Sequence, residues 1–238
     1  MPKFSIVMPL LMQRDYQYRI TLACIKNIEA FSYDYELIVL HSMASFMGKD
    51  VEKLLRKNDK YISFKNNPSQ VEVLNKAIEI SKGEYIILIG NDNFVHQDWL
   101  LEIDKRLDNP EFQILGCSVD RVLPEEVAIL QEKYPDGIKS ANFSYLNFQG
   151  LTIKKTILDD VGPFDPKLPF YYWERDYDLR LEDRGIKVGA VLNSYMTTPQ
   201  SMTRLDWTLP KGIKNWWSDE AMEKEINYYK QKWGSRVS

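Results

Sequence analysis

The chain has 238 residues, 44% of them hydrophobic and 27% charged, with 11 glycines and 11 prolines spread along it; a chain of this size and composition can bury a substantial core. Its formal net charge of −3 argues against attraction to bulk nucleic acid. Two cysteines and two histidines are too few for a secreted disulfide framework or a Cys/His zinc site.

The opening run MPKFSIVMPLLMQRD is too short for a spanning helix and has no small-residue cleavage site. It reads as a first buried strand, Phe4 to Met8, in a chain expected to be cytoplasmic. Ile20, Ala23, Cys24 and Ile28 recur at helical spacing within Tyr18 to Ala30. Glu36 to Leu40 is a second strand, followed by a polar helix near Lys49 to Lys57 and a third strand at Tyr61 to Phe64. Ser69 to Ser81 is the clearest helix: Val71, Leu74 and Ile78 share a face, Ser69 and Glu72 form a capping-box pattern, and Gly83 stops it. Tyr85 to Ile89 is continuously apolar, as in a strand covered on both faces. This alternation predicts right-handed crossovers and a mostly parallel sheet, whose ligands bind beyond the carboxyl ends of the strands. His41, Ser42 and Asp92 fall at those ends.

The second half is less regular. Gln113 to Val119 reads as a strand, Leu123 to Lys133 as a helix, Asn142 to Gln149 as a loop or sheet edge, and Lys155 to Val161 as a short helix stopped by Gly162-Pro163. Asp176 to Arg184 reads as a helix ended by Gly185, and Lys187 to Leu192 as a strand. Ser218 to Trp233 is an amphipathic aromatic helix, suited either to an interface or to packing back over the sheet. Cys24 and Cys117, both in apolar surroundings, read as core residues, with a disulfide between them left open. No repeat or linker divides the chain, which predicts one domain over residues 1–238: a half of about 1–115, a second of about 116–205, and a tail of about 206–238.

The chemistry gathers at two acids. YIILIGND ends on Asp92, and VGPFDPKLPFYYWERDYDLRLEDRGIKVG places Asp176 and Asp178 at a helix start after an aromatic cluster. A carboxylate at a strand end and another on a later helix can meet across one cleft, one holding a charged donor and the other deprotonating an acceptor. The competing structural readings are a helix cap for Asp176 and a turn residue for Asp92.

In chain order, KFSIVMPL, YELIVLHSMAS, LNKAIEISKGEYIILIGND, GLTIKKTILDDVGPFDPKL and WERDYDLRLEDRGIKVG together resemble the family 2 glycosyltransferases. The resemblance implies an α/β GT-A fold: a Rossmann-like, mostly parallel central sheet flanked by helices, an acceptor-side subregion and a C-terminal helix. It implies sugar transfer from a nucleotide-diphosphate donor, UDP-linked by preference, to a glycan or other hydroxyl acceptor, with inversion. Pro9, Leu10, His41, Ser42, Ser45, Asn75, Asn91, Asp92 and Asn93 would bind the nucleotide sugar, with Asp92 also holding Mn²⁺ or Mg²⁺. Asp176 would be the general base, with Glu174 in reserve, and Tyr172, Trp173 and Arg204 would contact the acceptor.

The chain departs from the family pattern in four places. His41 and Ser42 replace two acids, Gly90-Asn91-Asp92 keeps only the last acid of the DxD motif, Arg175 replaces the Glu before the base, and Thr197-Thr198-Pro199 stands where many members carry a histidine. The thinned acids support a rival reading as a non-catalytic carbohydrate- or nucleotide-binding relative. A transferase acting on modified nucleic acid bases is a third reading, weakened by the lack of basic charge.

Overall fold

In the computed structural model the described residues are 1–12, 14–43, 48–118, 129–130, 132–197 and 219–237. Nine strands form one sheet: β1 (Phe4–Leu11), β2 (Tyr35–Ser42), β3 (Lys60–Ser63), β4 (Tyr85–Ile89), β5 (Phe94–Val95), β6 (Ile114–Ser118), β7 (Ile138–Ala141), β8 (Gln149–Lys154) and β9 (Val188–Thr197). Their order is β3-β2-β1-β4-β8-β6-β9-β5, with β7 also paired to β9.

The first four strands are parallel, as alternating strand and helix signals predict. β8 then runs antiparallel between β4 and β6, and β5 and β7 run antiparallel to β9, so parallel pairing in the second half is confined to β6 with β9. The antiparallel step at β8 has a direct consequence: its amino end, Gln149, lies beside the carboxyl end of β4, Ile89. The segment entering β8 is thereby brought to the Gly90-Asn91-Asp92 turn.

Helices α1 (Asp15–Phe31), α2 (Gly48–Leu54), α3 (Gln70–Ile80) and α4 (Trp99–Asp104) belong to the first half, and α5 (Phe143–Leu146), α6 (Lys155–Val161), α7 (Trp173–Glu182) and α8 (Asp219–Trp233) to the second. Two apolar clusters cover the two faces of the sheet, and alternate strand residues divide between them: Ile6, Met8 and Ile87 on one side, Val7, Ile38, Ile86 and Leu88 on the other. Strands buried on both faces need continuous apolar runs, and β4 is buried at all five positions. Ser69 caps α3, its Oγ accepting the Glu72 N–H at 3.1 Å.

Several elements differ from the sequence reading. Asn142 to Gln149 contains α5, whose first amides are taken by a side chain from α7: Asp178 accepts the Phe143 and Ser144 N–H groups at 2.7 and 3.2 Å. Helix α7 starts at Trp173, three residues before the expected Asp176. The open question of a disulfide is resolved against one: Cys24 and Cys117 are free and buried, Cys24 Sγ donating to the Asn93 carbonyl at 2.9 Å. The expected helix at Leu123 to Lys133 falls largely outside the described residues, as do Ser45, Arg204, Trp216 and Trp217. No helix among the described residues is long and apolar enough to cross a membrane.

Candidate active site

The parallel strands β1, β2 and β4 end on one edge, and the segments leaving those ends build the site. After β4, Gly90-Asn91-Asp92 forms a turn in which the Asn93 N–H donates to the Gly90 carbonyl at 3.3 Å. A side chain at 90 would not fit: a Cβ there would lie 2.9 Å from Asn93 Oδ1 and 3.1 Å from Asp92 Oδ1. Asn91 Nδ2 donates to Thr21 Oγ1 on α1 at 2.8 Å. Asp92 is half-buried, and burial raises its carboxyl above the usual range. Among the described residues no lysine or arginine pairs with it.

Phe148, just before β8, reaches this turn. Its carbonyl accepts the Gly90 N–H at 3.2 Å and the Asn93 side-chain amide. The preceding residue reaches the other way: Asn147 Nδ2 donates to Glu174 Oε1, in the first turn of α7, at 2.8 Å. One dipeptide, Asn147-Phe148, therefore ties the Asp92 turn to Glu174. Trp173 reinforces the junction, its ring edge-on to Phe148 with centroids 6.3 Å apart. Three non-glycine residues around this edge adopt left-handed φ: Met43 after β2 (51°), Phe148 (58°) and Tyr172 (61°). Such strain persists only where neighbouring contacts over-determine the backbone, and it concentrates at functional sites.

Glu174 and Asp176 diverge because they lie two residues apart on a helix, about 200° around its axis. Glu174 is largely buried, and desolvation, opposed by its own backbone and Asn147 and assisted by Asp178 and Glu225, pushes its carboxyl up to about 7. Asp176 is fully buried against α8: Trp233 Nε1 donates to its Oδ1 at 2.9 Å, Lys232 Nζ lies 2.6 Å from the same oxygen, and Arg180 Nη1 lies 3.6 Å from Oδ2. The preferred base of the sequence reading is thus engaged in an internal ion pair, while the reserve carboxylate faces the strand-end loop.

Other expected site residues have structural duties. Leu10 lies in the core. Pro9 sits where β1 has left the β4 ladder, which ends at Val7, so its missing N–H costs nothing on that side. Asn75 spends both ends of its amide on Phe164, donating to the carbonyl at 2.9 Å and accepting the N–H at 3.0 Å. Asn93 is buried. Trp173, expected to contact the acceptor, is fully buried among Phe143, Phe148 and Phe164; an aromatic run before a helix reads the same whether it faces a ligand or a core. Tyr172 is half-buried and stacks on Tyr229 of α8, 5.2 Å between centroids. Ser42 is buried at the end of β2. Asn147 and Phe148 escaped the sequence reading; their signal is structural, one carbonyl and one amide facing opposite ways from a strained backbone.

His41 is fully buried, with Nδ1 2.7 Å from the Tyr61 hydroxyl, and burial lowers its pKa to about 4. The unfolded chain takes up this proton near 6.5 and the folded chain only near 4, so this contribution to stability is complete above 6.5 and lost as pH falls toward 4. We expect His41→Phe to melt with a shallower pH dependence than the wild type between pH 7 and 4.5, by up to about 3 kcal/mol over the window; parallel melting curves would contradict this account.

Residues 5–162 match the family described as Glycosyl transferase family 2. The match ends before α7, so neither Glu174 nor Asp176 lies within it. Among solved structures, the chain superposes on a mannosyltransferase, PcManGT from Pyrobaculum calidifontis, in complex with GDP-Man and Mn²⁺ (TM-score 0.62, 14% identity, 84% of this chain and 58% of that one). It also superposes on S. aureus TarS (TM-score 0.60, 12% identity, 95% of this chain and 44% of that one) and on TarS residues 1–349 (TM-score 0.59, 12% identity, 96% and 73%). The chain thus spans about half the length of the first two. No curated protein matches the sequence.

Proposed function

The chain belongs to glycosyl transferase family 2 and has the GT-A fold, and from that premise we propose that it transfers a sugar from a nucleoside-diphosphate donor to a hydroxyl acceptor, with inversion, using Glu174 as general base. The observation that carries this reading is the Asn147-Phe148 bridge, which ties the Asp92 turn and Glu174 to one strand-end segment.

Asp92 would supply one hard oxygen ligand to a divalent cation, a donor type that suits Mn²⁺ or Mg²⁺ beside a diphosphate. Among the described residues no three His, Cys, Asp or Glu side chains converge, and Asp92 is the acid that would hold it. When bound, the cation neutralises the diphosphate. The Pyrobaculum mannosyltransferase, in complex with GDP-Man and Mn²⁺, supports this part. The UDP expected from the sequence draws no support from that neighbour.

Glu174 Oε1 is held by the Asn147 amide, which orients the carboxylate. The acceptor hydroxyl gives its proton to Glu174 as its oxygen forms a bond to the anomeric carbon. The bond from that carbon to the diphosphate oxygen breaks, and the nucleoside diphosphate leaves with the electron pair. A single carboxylate suffices because the leaving group needs no proton, unlike the alkoxide of glycoside hydrolysis. A carboxyl poised near neutrality combines an available deprotonated form with useful basicity.

A thermal-shift experiment with GDP and UDP, with and without Mn²⁺, tests the donor half. At a hundredfold excess over Kd, the preferred diphosphate adds about 2.7 kcal/mol, raising Tm by roughly 5–10 °C. Asp92→Asn should lose the Mn²⁺-dependent part of that rise. No shift with either nucleotide would count against the assignment.

A further inference from the structure

We propose that helix α8 positions the catalytic segment, with Glu225 as its principal positioning residue; the proposal rests on the reading of Glu174 as base. Helix α7 begins without a side-chain cap of its own, on Tyr172 in the left-handed region. The chain just before it is held from outside. Glu225 is 4% exposed, and its Oε2 accepts the backbone N–H groups of Phe170 at 3.1 Å and Tyr171 at 2.7 Å.

Four residues further along α8, Tyr229 stacks on Tyr172 with the rings 29° from coplanar. One turn beyond that, Lys232 and Trp233 grip Asp176. Positions 225, 229, 232 and 233 form one stripe of α8, and they engage residues 170, 171, 172 and 176, on both sides of Glu174. A left-handed non-glycine residue costs about 1–2 kcal/mol, so the 170–172 backbone keeps its path only while something holds it. A one-residue shift in the register of α7 would turn its side chains by about 100° and swing Glu174 away from Asn147. The carboxylate of Glu225 thus sets the direction of the Glu174 carboxylate without touching it through a hydrogen bond.

The test compares Glu225→Ala, Glu225→Gln and Glu174→Gln in the full chain. Nucleoside diphosphate release from GDP-mannose and UDP-glucose with Mn²⁺ is followed alongside amide hydrogen exchange at Phe170 and Tyr171. Glu225→Ala should lower kcat by about 10²-fold through misplacement of the base, leave KM for the donor unchanged, and speed exchange of the two amides. Glu225→Gln keeps an acceptor oxygen and should recover most of kcat and the protection. If Ala at 225 prevents folding, Tyr229→Leu removes only the stacking contact and should lower kcat in the same selective way. Wild-type kcat in Glu225→Ala alongside loss in Glu174→Gln would overturn the clamp. Wild-type kcat in Glu174→Gln would overturn the base assignment, and unchanged amide exchange in Glu225→Ala would overturn the clamp whatever the turnover.

Discussion

Glu174→Gln should lower kcat for sugar transfer by about 10²–10⁴, the usual worth of a positioned general base, while donor affinity stays as in the wild type. The amide keeps an oxygen for Asn147 Nδ2 to donate to, so the local structure is retained and only proton acceptance is removed. The wild-type pH profile should carry the same signature. Glu174 is held up to about 7 and works as a base only when ionised, so kcat rises as pH increases through about 7 and levels off above it. The groups that set this limb are Asp178 on the same helix, Glu225 on α8 and the Asn147 amide, with desolvation dominant. Glu225→Gln, which removes a negative neighbour, should move the limb to lower pH. In Glu174→Gln the limb should vanish with the activity. A variant that retains the wild-type rate and the wild-type limb would return the role to another group, Asp176 first among them.

The strands that carry the Asp92 turn were legible in the sequence and the start of α7 was not, for a local reason in each case. Tyr85 to Ile89 matches β4 residue for residue, since five apolar positions between Gly83 and Gly90 leave little room for another reading. Parallel strands ending together then place Ser42 and Asp92 on one edge. Beyond that point the geometry depends on distant partners. Asp176 and Glu174 are equally plausible bases on spacing alone; their sorting depends on where α7 begins, and that depends on Tyr172 adopting φ of 61° against α8, some fifty residues downstream. The short elements α5, β5 and β7 were missed for a similar reason. α5 has its first amides satisfied by Asp178 and not by a cap of its own, β5 is only two residues long, and β7 is specified by its pairing with β9.

Lys232→Met should destabilise the protein substantially, although Lys232 is itself partly exposed. Lys232 bridges two acids, 2.7 Å from Asp165 Oδ2 and 2.6 Å from Asp176 Oδ1. Asp176 is fully buried, so removing the lysine leaves a carboxylate charge in a dry site with Trp233 as a neutral donor and Arg180 at 3.6 Å. Breaking a buried pair from one side costs about 3–5 kcal/mol; Arg180 and the partial exposure of Lys232 hold the expected loss to the lower end, about 3 kcal/mol. For a chain of this length that lowers Tm by roughly 6–12 °C. The cost is one of leaving the buried partner charge with only Arg180 at 3.6 Å to offset it, which separates it from lost packing. Adding Asp176→Asn to Lys232→Met removes that charge while keeping an oxygen for Trp233 Nε1, and the double variant should melt closer to the wild type than Lys232→Met alone. If Lys232→Met melts with the wild type, Asp176 is not held by this pair. If the double variant melts below the single, the loss comes from packing at the α7–α8 contact and not from the stranded carboxylate.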